Sequence, residues 1–456
     1  MSPGLMRSLP SNEPIASGIP VAEIISALSF ALDLTEDAVP GHALRSCLIG
    51  MRLAAALGLG DADRSHLFYA LLLKDIGCSS NAARLFQIMG SDERRIKRED
   101  KLEDWTRTTW SSLRHVWQNL HPEASHFTRL KRLIDIGRRD ETVHGEMVAL
   151  RCDRGAKIVA SIGLPKPVSL AVRHLDEHWD GSGFPGGLKG EAIPLFSRIL
   201  LVAQHLDVFA TERGEAAALR SLKFRTGRWF DPDLVRAAGA LSKAGLLWGF
   251  RGSIAESRAA VLDLEPGQRL VASNDQIDAL CDAFADVVDV KSSFTASHSR
   301  GVAETAIRIA TGLGYTAERQ RFVARASLLH DLGKLRIPNT ILDKPGRLTP
   351  AEWSVVREHP ALTTDILSRV ALFSELATVA GQHHEKLDGS GYPHCLKAAD
   401  LSRDARLIAV ADFYSALAED RPYRAGMATG PIRRIMDTEA GCTLDRDCYD
   451  ALLAGL

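Results

Sequence analysis

Two segments of the chain carry apolar residues at intervals of three, four and seven positions, the period of one face of an α-helix. In the second half these positions are Ile277, Leu280, Cys281, Phe284, Val287 and Val288. In the first half they are Val21, Ile24, Ile25, Leu28, Ala31 and Leu32. Ser273 or Asn274 stands where a helix N-cap is expected. Both segments are predicted to be amphipathic helices.

A further helix is predicted to start at TPAE, residues 349–352. Thr349 is suited to the N-cap, Pro350 to the first helical position and Glu352 to the third, the arrangement of a capping box. Strictly alternating apolar and polar positions, which indicate β-strands, are scarce. The sequence therefore predicts an all-α fold.

The helical pattern occurs twice along the chain. LLKDIGC at 72–78 matches LLHDLGK at 328–334, and EHWDGSGFP at 177–185 matches EKLDGSGYP at 385–393. Key positions are separated by 32, 77, 24 and 29 residues in the first half and by 32, 29, 24 and 29 in the second. They are His42, Lys74, Arg151, Leu175 and Gln204, matched with His298, His330, His359, His383 and Asp412. Three equal intervals predict a tandem duplication of one helical domain.

The unequal interval places one insertion of 48 residues in the first copy, at about 80–143. The predicted domains are 1–250 and 274–456, joined by a linker at 251–273 that contains Gly and Pro. Residues 92–104 of the insertion are almost all charged and are predicted to form a solvated helix or a loop. The following stripe, Trp110, Leu113, Trp117 and Leu120, is interpreted as packing.

Composition excludes several classes of protein. The 456 residues carry a net charge of −1, so the basic surface of a duplex nucleic-acid binder is not expected. Seven cysteines without a C-x-x-C pair favour free thiols in a reducing compartment. No apolar run is long enough for a membrane span, and Pro and Gly interrupt the N-terminal segment. The protein is predicted to be cytoplasmic.

The second half collects seven side chains of metal-ligand type within 115 positions: His298, His330, Asp331, His359, His383, His384 and Asp412. Adjacent helical residues point about 100° apart, so His330–Asp331 and His383–His384 suit two neighbouring ions better than one. Asp331 can offer one oxygen to each ion. Two divalent transition-metal ions, Fe or Mn, fit mixed imidazole and carboxylate ligands, and such pairs act in phosphoryl displacement.

These residues resemble the HD-GYP subgroup of the HD-superfamily phosphohydrolases, the bacterial cyclic di-GMP phosphodiesterases. The resemblance covers about 277–450 and rests on seven motifs in order. They are HS at 298–299, HDLGK at 330–334, ILDKPGRL at 341–348, EHP at 358–360, HHEKLDGSGYP at 383–393, VADFYSAL at 410–417 and DRPYR at 420–424. It implies an all-α catalytic domain, a centre of two or three metals, and hydrolysis of cyclic di-GMP to linear pGpG or GMP.

Residue by residue, the resemblance implies that His298, His330, Asp331 and Asp412 bind one metal. His359, His383 and His384 bind the other, with Asp331 shared. Asp331 and Lys334 are the implied catalytic residues, and the substrate is contacted by Lys334, Tyr392, Arg421 and Arg424. Candidate partners besides the dinucleotide are a diguanylate cyclase or other protein and a second copy of the chain.

The chain departs from this family at two places. Phe294 replaces the Glu that contributes to a third metal, which favours two metals. HCLKA at 394–398 lacks the glycines of the family's loop, which predicts a change of loop shape. Two alternatives therefore stay open: an HD phosphohydrolase of another nucleotide, and a non-catalytic, nucleotide-responsive scaffold.

The first copy lacks most of the metal ligands, keeping only His42 and Asp75, with Asp176 as a substitute. Lys74 and Arg151 place permanent cations where two ligands would stand, so divalent ions should be repelled. We expect these cations to pair with Asp75 and Asp176. The first domain is predicted to be a metal-free regulatory or structural pseudo-domain.

Overall fold

The computed structural model describes residues 18–104, 110–137, 140–248, 252–267, 269–292, 297–420 and 425–455. All regular secondary-structure elements in this part of the chain are helices, and β-pairing is limited to isolated bridges. The chain divides into two compact units, one of Pro20–Val271 and a second of residues from Ala272 onward together with Ile19. The all-α prediction is confirmed.

The first unit contains α1 to α13 and two short 3₁₀ helices, Cys78–Asn81 and Gly190–Ala192. Its α-helices are α1 Val21–Leu34, α2 His42–Ala56, α3 Asp61–Leu73, α4 Ala82–Met89, α5 Glu93–Asp100, α6 Trp110–Asn119, α7 His126–Gly137, α8 Asp140–Ser161, α9 Lys166–Arg173, α10 Leu195–Arg213, α11 Glu215–Phe224, α12 Pro232–Lys243 and α13 Ile254–Asp263. Helix α2 packs against α3 and α10.

The second unit contains α14 to α23 and the 3₁₀ helices Leu332–Arg336, Ala371–Phe373 and Ala398–Asp400. Its α-helices are α14 Asn274–Asp289, α15 His298–Gly312, α16 Ala317–Leu329, α17 Asn339–Leu342, α18 Pro350–Arg357, α19 His359–Leu367, α20 Ser374–Gly381, α21 Arg403–Ala418, α22 Thr429–Glu439 and α23 Arg446–Ala454. Helix α15 packs against α16 and α21, which repeats the packing of α2.

The predicted helix starts are observed. Ser273 caps α14 in a capping box with Gln276, and Thr349 caps α18 in a capping box with Glu352. All twelve apolar positions of the two periodic segments are buried in α1 and α14. These helices therefore form because their apolar faces enter the core while their first N–H groups are satisfied by side chains.

The two units share details below the level of helix order. Asp33 accepts hydrogen bonds from the backbone N–H groups of Gly41 and Ala43, at the start of α2. At the equivalent place Asp289 accepts from the N–H and hydroxyl of Ser299, at the start of α15. In both units a buried carboxylate thus fixes the helix end that carries the first histidine of the repeat.

The insertion in the first unit is folded. Leu85, Met89, Ile96 and Leu120 form a buried apolar cluster of their own. Leu120 thereby has the packing role predicted for the tryptophan–leucine stripe, and the side chains of Trp110 and Leu113 lie outside the described residues. The charged segment forms helix α5, but Glu93, Ile96 and Lys97 on one face are buried. The expectation of a solvated segment was wrong for this face, because it packs onto the unit.

Residues 251–273, predicted as a linker, include α13, which packs on α1 and α2 within the first unit. The predicted domain limits, residues 1–250 and 274–456, remain a prediction.

The seven cysteines are all free. Among the described residues, no helix combines the length and the apolar character that crossing a membrane requires.

Candidate metal centre

Helix ends carry most of the seven candidate ligands of the second unit. His298 begins α15 and His359 begins α19, while His330 and Asp331 directly follow α16. His383 and His384 follow α20, and Asp412 lies within α21. Six of the seven residues are buried, and His384 keeps 26% of its side chain exposed. The centre is therefore enclosed except on the His384 side.

Asp331 lies between two groups of histidines. Its Oδ2 atom is 3.6 Å from Nε2 of His298 and 3.3 Å from Nε2 of His330. Its Oδ1 atom is 3.3 Å from Nε2 of His359 and 3.7 Å from Nε2 of His383. One carboxylate thus presents a different oxygen to each pair, which is the arrangement of a bridging ligand.

The remaining members complete the two groups. Oδ1 of Asp412 lies 3.2 Å from Nε2 of His298, and its Oδ2 lies 3.6 Å from Nδ1 of His384. Three-residue sets with mutually close ligand atoms are formed by His298, His330 and Asp412 on one side and by His359, His383 and His384 on the other. A third such set, His330, Asp331 and His383, includes a histidine from each side, and the assignment of ligands to two ions remains a prediction.

The histidines are oriented by bonds on the far side of their rings. Nδ1 of His330, His359 and His383 lies 2.6 to 2.7 Å from the carbonyl oxygen of the residue three positions earlier. Because Nδ1 then carries the proton, Nε2 presents a lone pair to the centre, as in metal sites. Nε2 of His330 and Oδ1 of Asp331 have no hydrogen-bond partner although both atoms are buried. Such atoms fit bound cations.

The protonation states also suit metal binding. Burial raises the pKa of Asp331 and Asp412, but neighbouring histidines outweigh it and hold the pKa of both carboxyls well below the usual value. Burial lowers the pKa of His359 and His383. His298 differs, because bonds to Asp412 and Glu419 outweigh burial and raise its pKa to about 9. A cation at His298 must therefore displace a proton.

In each unit a glycine allows two backbone segments to approach closely. A Cβ atom on Gly333 would lie 2.1 Å from the carbonyl oxygen of His359, and one on Gly77 would lie 2.1 Å from that of Arg151. Neither contact is compatible with a side chain. The glycine in HDLGK and in KDIGC thus permits the same close packing in both units.

Two of the predicted substrate-contacting residues border the centre. Nζ of Lys334 lies 2.5 Å from Oδ2 of Asp331, and 19% of its side chain is exposed. The ring of Tyr392 lies 4.8 Å from the ring of His384. Arg421 and Arg424, and also Phe294, lie outside the described residues.

Sequence reasoning missed two residues at this centre. The guanidinium of Arg357 lies 5.3 Å from the centroid of the Tyr392 ring. Oε2 of Glu419 lies 2.8 Å from Nδ1 of His298. Glu419 follows Asp412 by two helical turns, so the 3.6-residue period could have predicted that both side chains lie on the same face. Arg357 stands two residues before His359, and the turn between α18 and α19 gave no such signal.

The loop after Pro393 retains the shape of its counterpart. Oε1 and Oε2 of Glu385 accept hydrogen bonds from the N–H groups of His394 and Leu396, at 2.7 and 2.9 Å. Glu177 binds Gly186 and Leu188 at the same two distances. Cys395 has φ 55° where Gly187 has φ 62°, so a side chain occupies a left-handed position at some conformational cost. The expected change of loop shape was wrong, because the Glu385 carboxylate fixes the loop.

Comparison with known proteins shows the family of the chain. A family model described as an HD domain matches residues 135–234 and 282–448, a segment in each unit. The 3′3′-cGAMP-specific phosphodiesterase 3 of Vibrio cholerae serotype O1 is 40% identical over 440 residues, 96% of this chain and 95% of that protein. The chain belongs to the HD-domain family. It is of the HD-GYP, metal-dependent phosphodiesterase type.

A further relative is named for a different dinucleotide, and a solved structure is named for cyclic GMP-AMP. The cyclic di-GMP phosphodiesterase response regulator RpfG of Xanthomonas campestris pv. campestris is 33% identical over 194 residues, 41% of this chain and 51% of that protein. A crystal structure of a cyclic GMP-AMP specific phosphodiesterase of V. cholerae has a TM-score of 0.66 and 35% identity, covering 96% of this chain and 98% of that one.

In the first HD unit, cations replace metal ligands at the equivalent place. Lys74, with a fully buried side chain, donates a hydrogen bond to Asp75, and its Nζ lies 2.7 Å from Nε2 of His42. Arg151 pairs with Asp176. Both ion pairs were predicted and are confirmed. Burial, together with the charges of Lys74 and Lys101, lowers the pKa of His42 to about 4, so its ring is neutral at pH 7.

The insertion supplies further cations that sequence reasoning did not place here. Lys101, just after α5, pairs with Glu36 and lies 3.7 Å from Asp75. Lys97 donates a hydrogen bond of 2.5 Å to the carbonyl oxygen of Cys78. The helical spacing of Lys97 and Lys101 put them on one face, but nothing in the sequence showed that this face turns inward.

Proposed function

We propose that the second unit hydrolyses a phosphodiester bond of a cyclic dinucleotide, with 3′3′-cGAMP as the preferred substrate and cyclic di-GMP as the second. The observation that carries the proposal is the position of Asp331, whose two oxygens face separate sets of histidines. A scaffold would have no use for buried, partnerless ligand atoms such as Nε2 of His330.

The centre is proposed to hold two divalent transition-metal ions, with Fe or Mn as the preferred elements. His298, His330 and Asp412 would hold one ion, His359, His383 and His384 the other, and Asp331 would contact both. Bound ions at such a centre stabilise negative charge on a transferring phosphoryl group and lower the pKa of water. The chain's own part is to fix these ligands and keep their carboxylates ionised.

In the proposed reaction, the oxygen of a water molecule forms a bond to phosphorus and the bond from phosphorus to the 3′ oxygen breaks. The 3′ oxygen leaves with a proton, so the product is a linear dinucleotide with a 5′ phosphate. Lys334 is the proposed phosphate contact, because its partly exposed ammonium is already beside Asp331. Tyr392 and Arg357 provide a flat, cationic surface at the exposed side for a base.

The preference for 3′3′-cGAMP is supported by the relative that matches both units along 96% of the chain. Cyclic di-GMP, the substrate predicted from the sequence with pGpG or GMP as product, is favoured by relatives such as RpfG that align with 41% of the chain. The retained loop at Glu385 removes the reason for expecting a closed dinucleotide site. An HD phosphohydrolase of another nucleotide is thereby disfavoured.

The test is a comparison of kcat/KM for 3′3′-cGAMP, cyclic di-GMP and a panel of mononucleotides, with the metal content measured in the same preparation. Products are separated by chromatography. We expect linear dinucleotide with a 5′ phosphate from 3′3′-cGAMP at the highest kcat/KM. A higher value for cyclic di-GMP would reverse the substrate order, and hydrolysis of neither dinucleotide by protein loaded with two metals would contradict the proposal.

For the first unit we propose a metal-free regulatory or structural role. The support is a set of three ion pairs, in which Lys74, Arg151 and Lys101 pair with Asp75, Asp176 and Glu36. Metal analysis of protein whose second centre is disabled by Asp331→Ala tests this, and stoichiometric metal in that variant would contradict it.

A further inference from the structure

The first unit has a cavity of about 120 Å³ at the place of its lost metal centre. Its wall includes Arg151, Asp176 and Gln204, which stand at or beside positions equivalent to metal ligands of the second unit. Further polar residues of the wall are Glu36, Asn81, Lys97, Asp100, Lys101, His178 and His205. The ion pairs described above therefore border a space and do not fill it.

Gln204 is a polar side chain that these ion pairs leave unused, and Oδ1 of Asn81 and Nε2 of His205 in the same wall also lack a hydrogen-bond partner. Only 8% of its surface is exposed, and it lines the cavity. The hydrogen bonds of the described residues include none from its side-chain amide. Because Gln204 lines the cavity, a bound group with complementary donors and acceptors could form hydrogen bonds with its amide. The equivalent residue of the second unit is Asp412, so a charged ligand position has become a neutral one.

The charge of the wall argues against an ion as the occupant. Three cations, Lys97, Lys101 and Arg151, face three carboxylates, Glu36, Asp100 and Asp176. A divalent cation would meet the ammonium groups, and a free phosphate would meet the carboxylates. The group that enters the cavity should therefore be uncharged and polar.

Size and shape restrict the group further. At about 10 to 15 Å³ for each water molecule, the cavity holds about ten, which matches a fused two-ring heterocycle better than a single ring. The ring of His178 stacks on Trp229 at a centroid distance of 4.3 Å and forms an aromatic wall. Burial lowers the pKa of His178 to about 4, so this wall is neutral at pH 7.

We propose that the first unit binds a purine nucleotide, with its base in this cavity against the Gln204 amide and the His178 ring. A planar amide donates and accepts hydrogen bonds together, as the edge of a purine requires. The site is separate from the catalytic centre, and the proposal does not depend on which dinucleotide the second unit hydrolyses.

The test is calorimetric titration of the full-length, metal-loaded protein with GMP, AMP and CMP. The variants are Gln204→Met, which keeps the length of the side chain without its amide, and Gln204→Leu as a second apolar replacement. Gln87→Leu is the matched control, since Gln87 is exposed in the same unit. Thermal unfolding of each variant shows whether the first unit remains folded.

We expect GMP or AMP to bind wild type and Gln87→Leu equally and both Gln204 variants about tenfold more weakly, the effect of losing one or two hydrogen bonds. Dinucleotide hydrolysis by the Gln204 variants serves as an independent readout of the second unit. Unchanged purine affinity in the folded Gln204 variants, equal binding of CMP, or no binding by wild type would each overturn the proposal.

Discussion

The two units share one helical framework, but their buried carboxylates are compensated by different kinds of positive charge. In the second unit Asp331 is surrounded by histidines whose Nε2 atoms point toward its two oxygens, an arrangement that suits bound cations. In the first unit the cations are side chains of the protein itself, since the ammonium groups of Lys74 and Lys101 lie next to Asp75. The comparison teaches that loss of metal sites need not leave buried carboxylates uncompensated, because a few substitutions and one insertion can replace the ions.

The largest difference between the units is expected at two equivalent aspartates, Asp331 and Asp75. Asp331→Ala should lower dinucleotide hydrolysis at least about a thousandfold and remove bound metal, because both ions lose a ligand and loss of an outer-shell partner alone costs about 10- to 100-fold. Asp75→Ala in the first unit should leave the metal content unchanged. Elemental analysis and turnover of both variants measure this, and normal activity in Asp331→Ala would end the phosphodiesterase assignment of the centre.

Arg151→Ala should destabilise the first unit by about 3 kcal/mol, the low end for removing one side of a buried pair, because a fifth of the Arg151 side chain is exposed. Six of the seven tryptophans lie between 105 and 248, so fluorescence during urea unfolding reports mainly on this unit.

The control for this variant is Arg173→Ala, which breaks an exposed pair with Asp153 and should cost less than about 1 kcal/mol. A regulatory first unit also predicts changed turnover in Arg151→Ala with unchanged metal content. If Arg151→Ala unfolds like Arg173→Ala, the ion pair with Asp176 does not stabilise the unit.

Acid should weaken the first unit through Glu36. Burial alone would raise the pKa of Glu36, but Lys101 and Arg151 outweigh it and lower the pKa from 4.5 to about 2. The ionised pair therefore contributes stability above about pH 4.5, on the order of 3 kcal/mol, and the contribution is lost as pH falls toward about 2. In Lys101→Met this acid-dependent part should shrink. Fluorescence-detected urea unfolding at several pH values measures it, and parallel profiles for both proteins would contradict the assignment.

Lys334→Ala should reduce turnover about tenfold with little loss of metal, because Lys334 adds to charge stabilisation that the centre already provides. Lys344→Ala is a suitable control, since Lys344 pairs with Glu352 on α18. Metal loss in Lys334→Ala as large as in Asp331→Ala would show that Lys334 acts by positioning Asp331.

The smallest effect is expected when one ligand is restored to the first unit. Lys74→His should bind no additional metal, because Arg151, Leu175 and Gln204 still occupy three of the equivalent ligand positions. Elemental analysis against wild type measures the difference. A gain of one ion per chain would show that Lys74 alone keeps metal out.

Much of the catalytic centre could be predicted because its residues are tied to local signals. The helix caps at Ser273 and Thr349 and the apolar faces of α1 and α14 follow from short-range periodicity and hydrogen bonding, which depend little on the rest of the molecule. The roles of Glu36, Arg357 and Lys101 could not be predicted in the same way. Each depends on which elements meet in space, and the contact of Lys101 with Glu36 joins residues 65 positions apart.

The sequence by itself determined the duplication, the all-α class and the set of seven ligand-type residues, since these depend on residue type and on spacing along one chain. Tertiary structure alone decided that the two oxygens of Asp331 face different histidines, that HCLKA keeps the shape of its glycine-rich counterpart, and that helix α5 turns its lysines inward. The physical reason is that periodicity determines which residues share a face, whereas packing against distant elements determines which way that face turns.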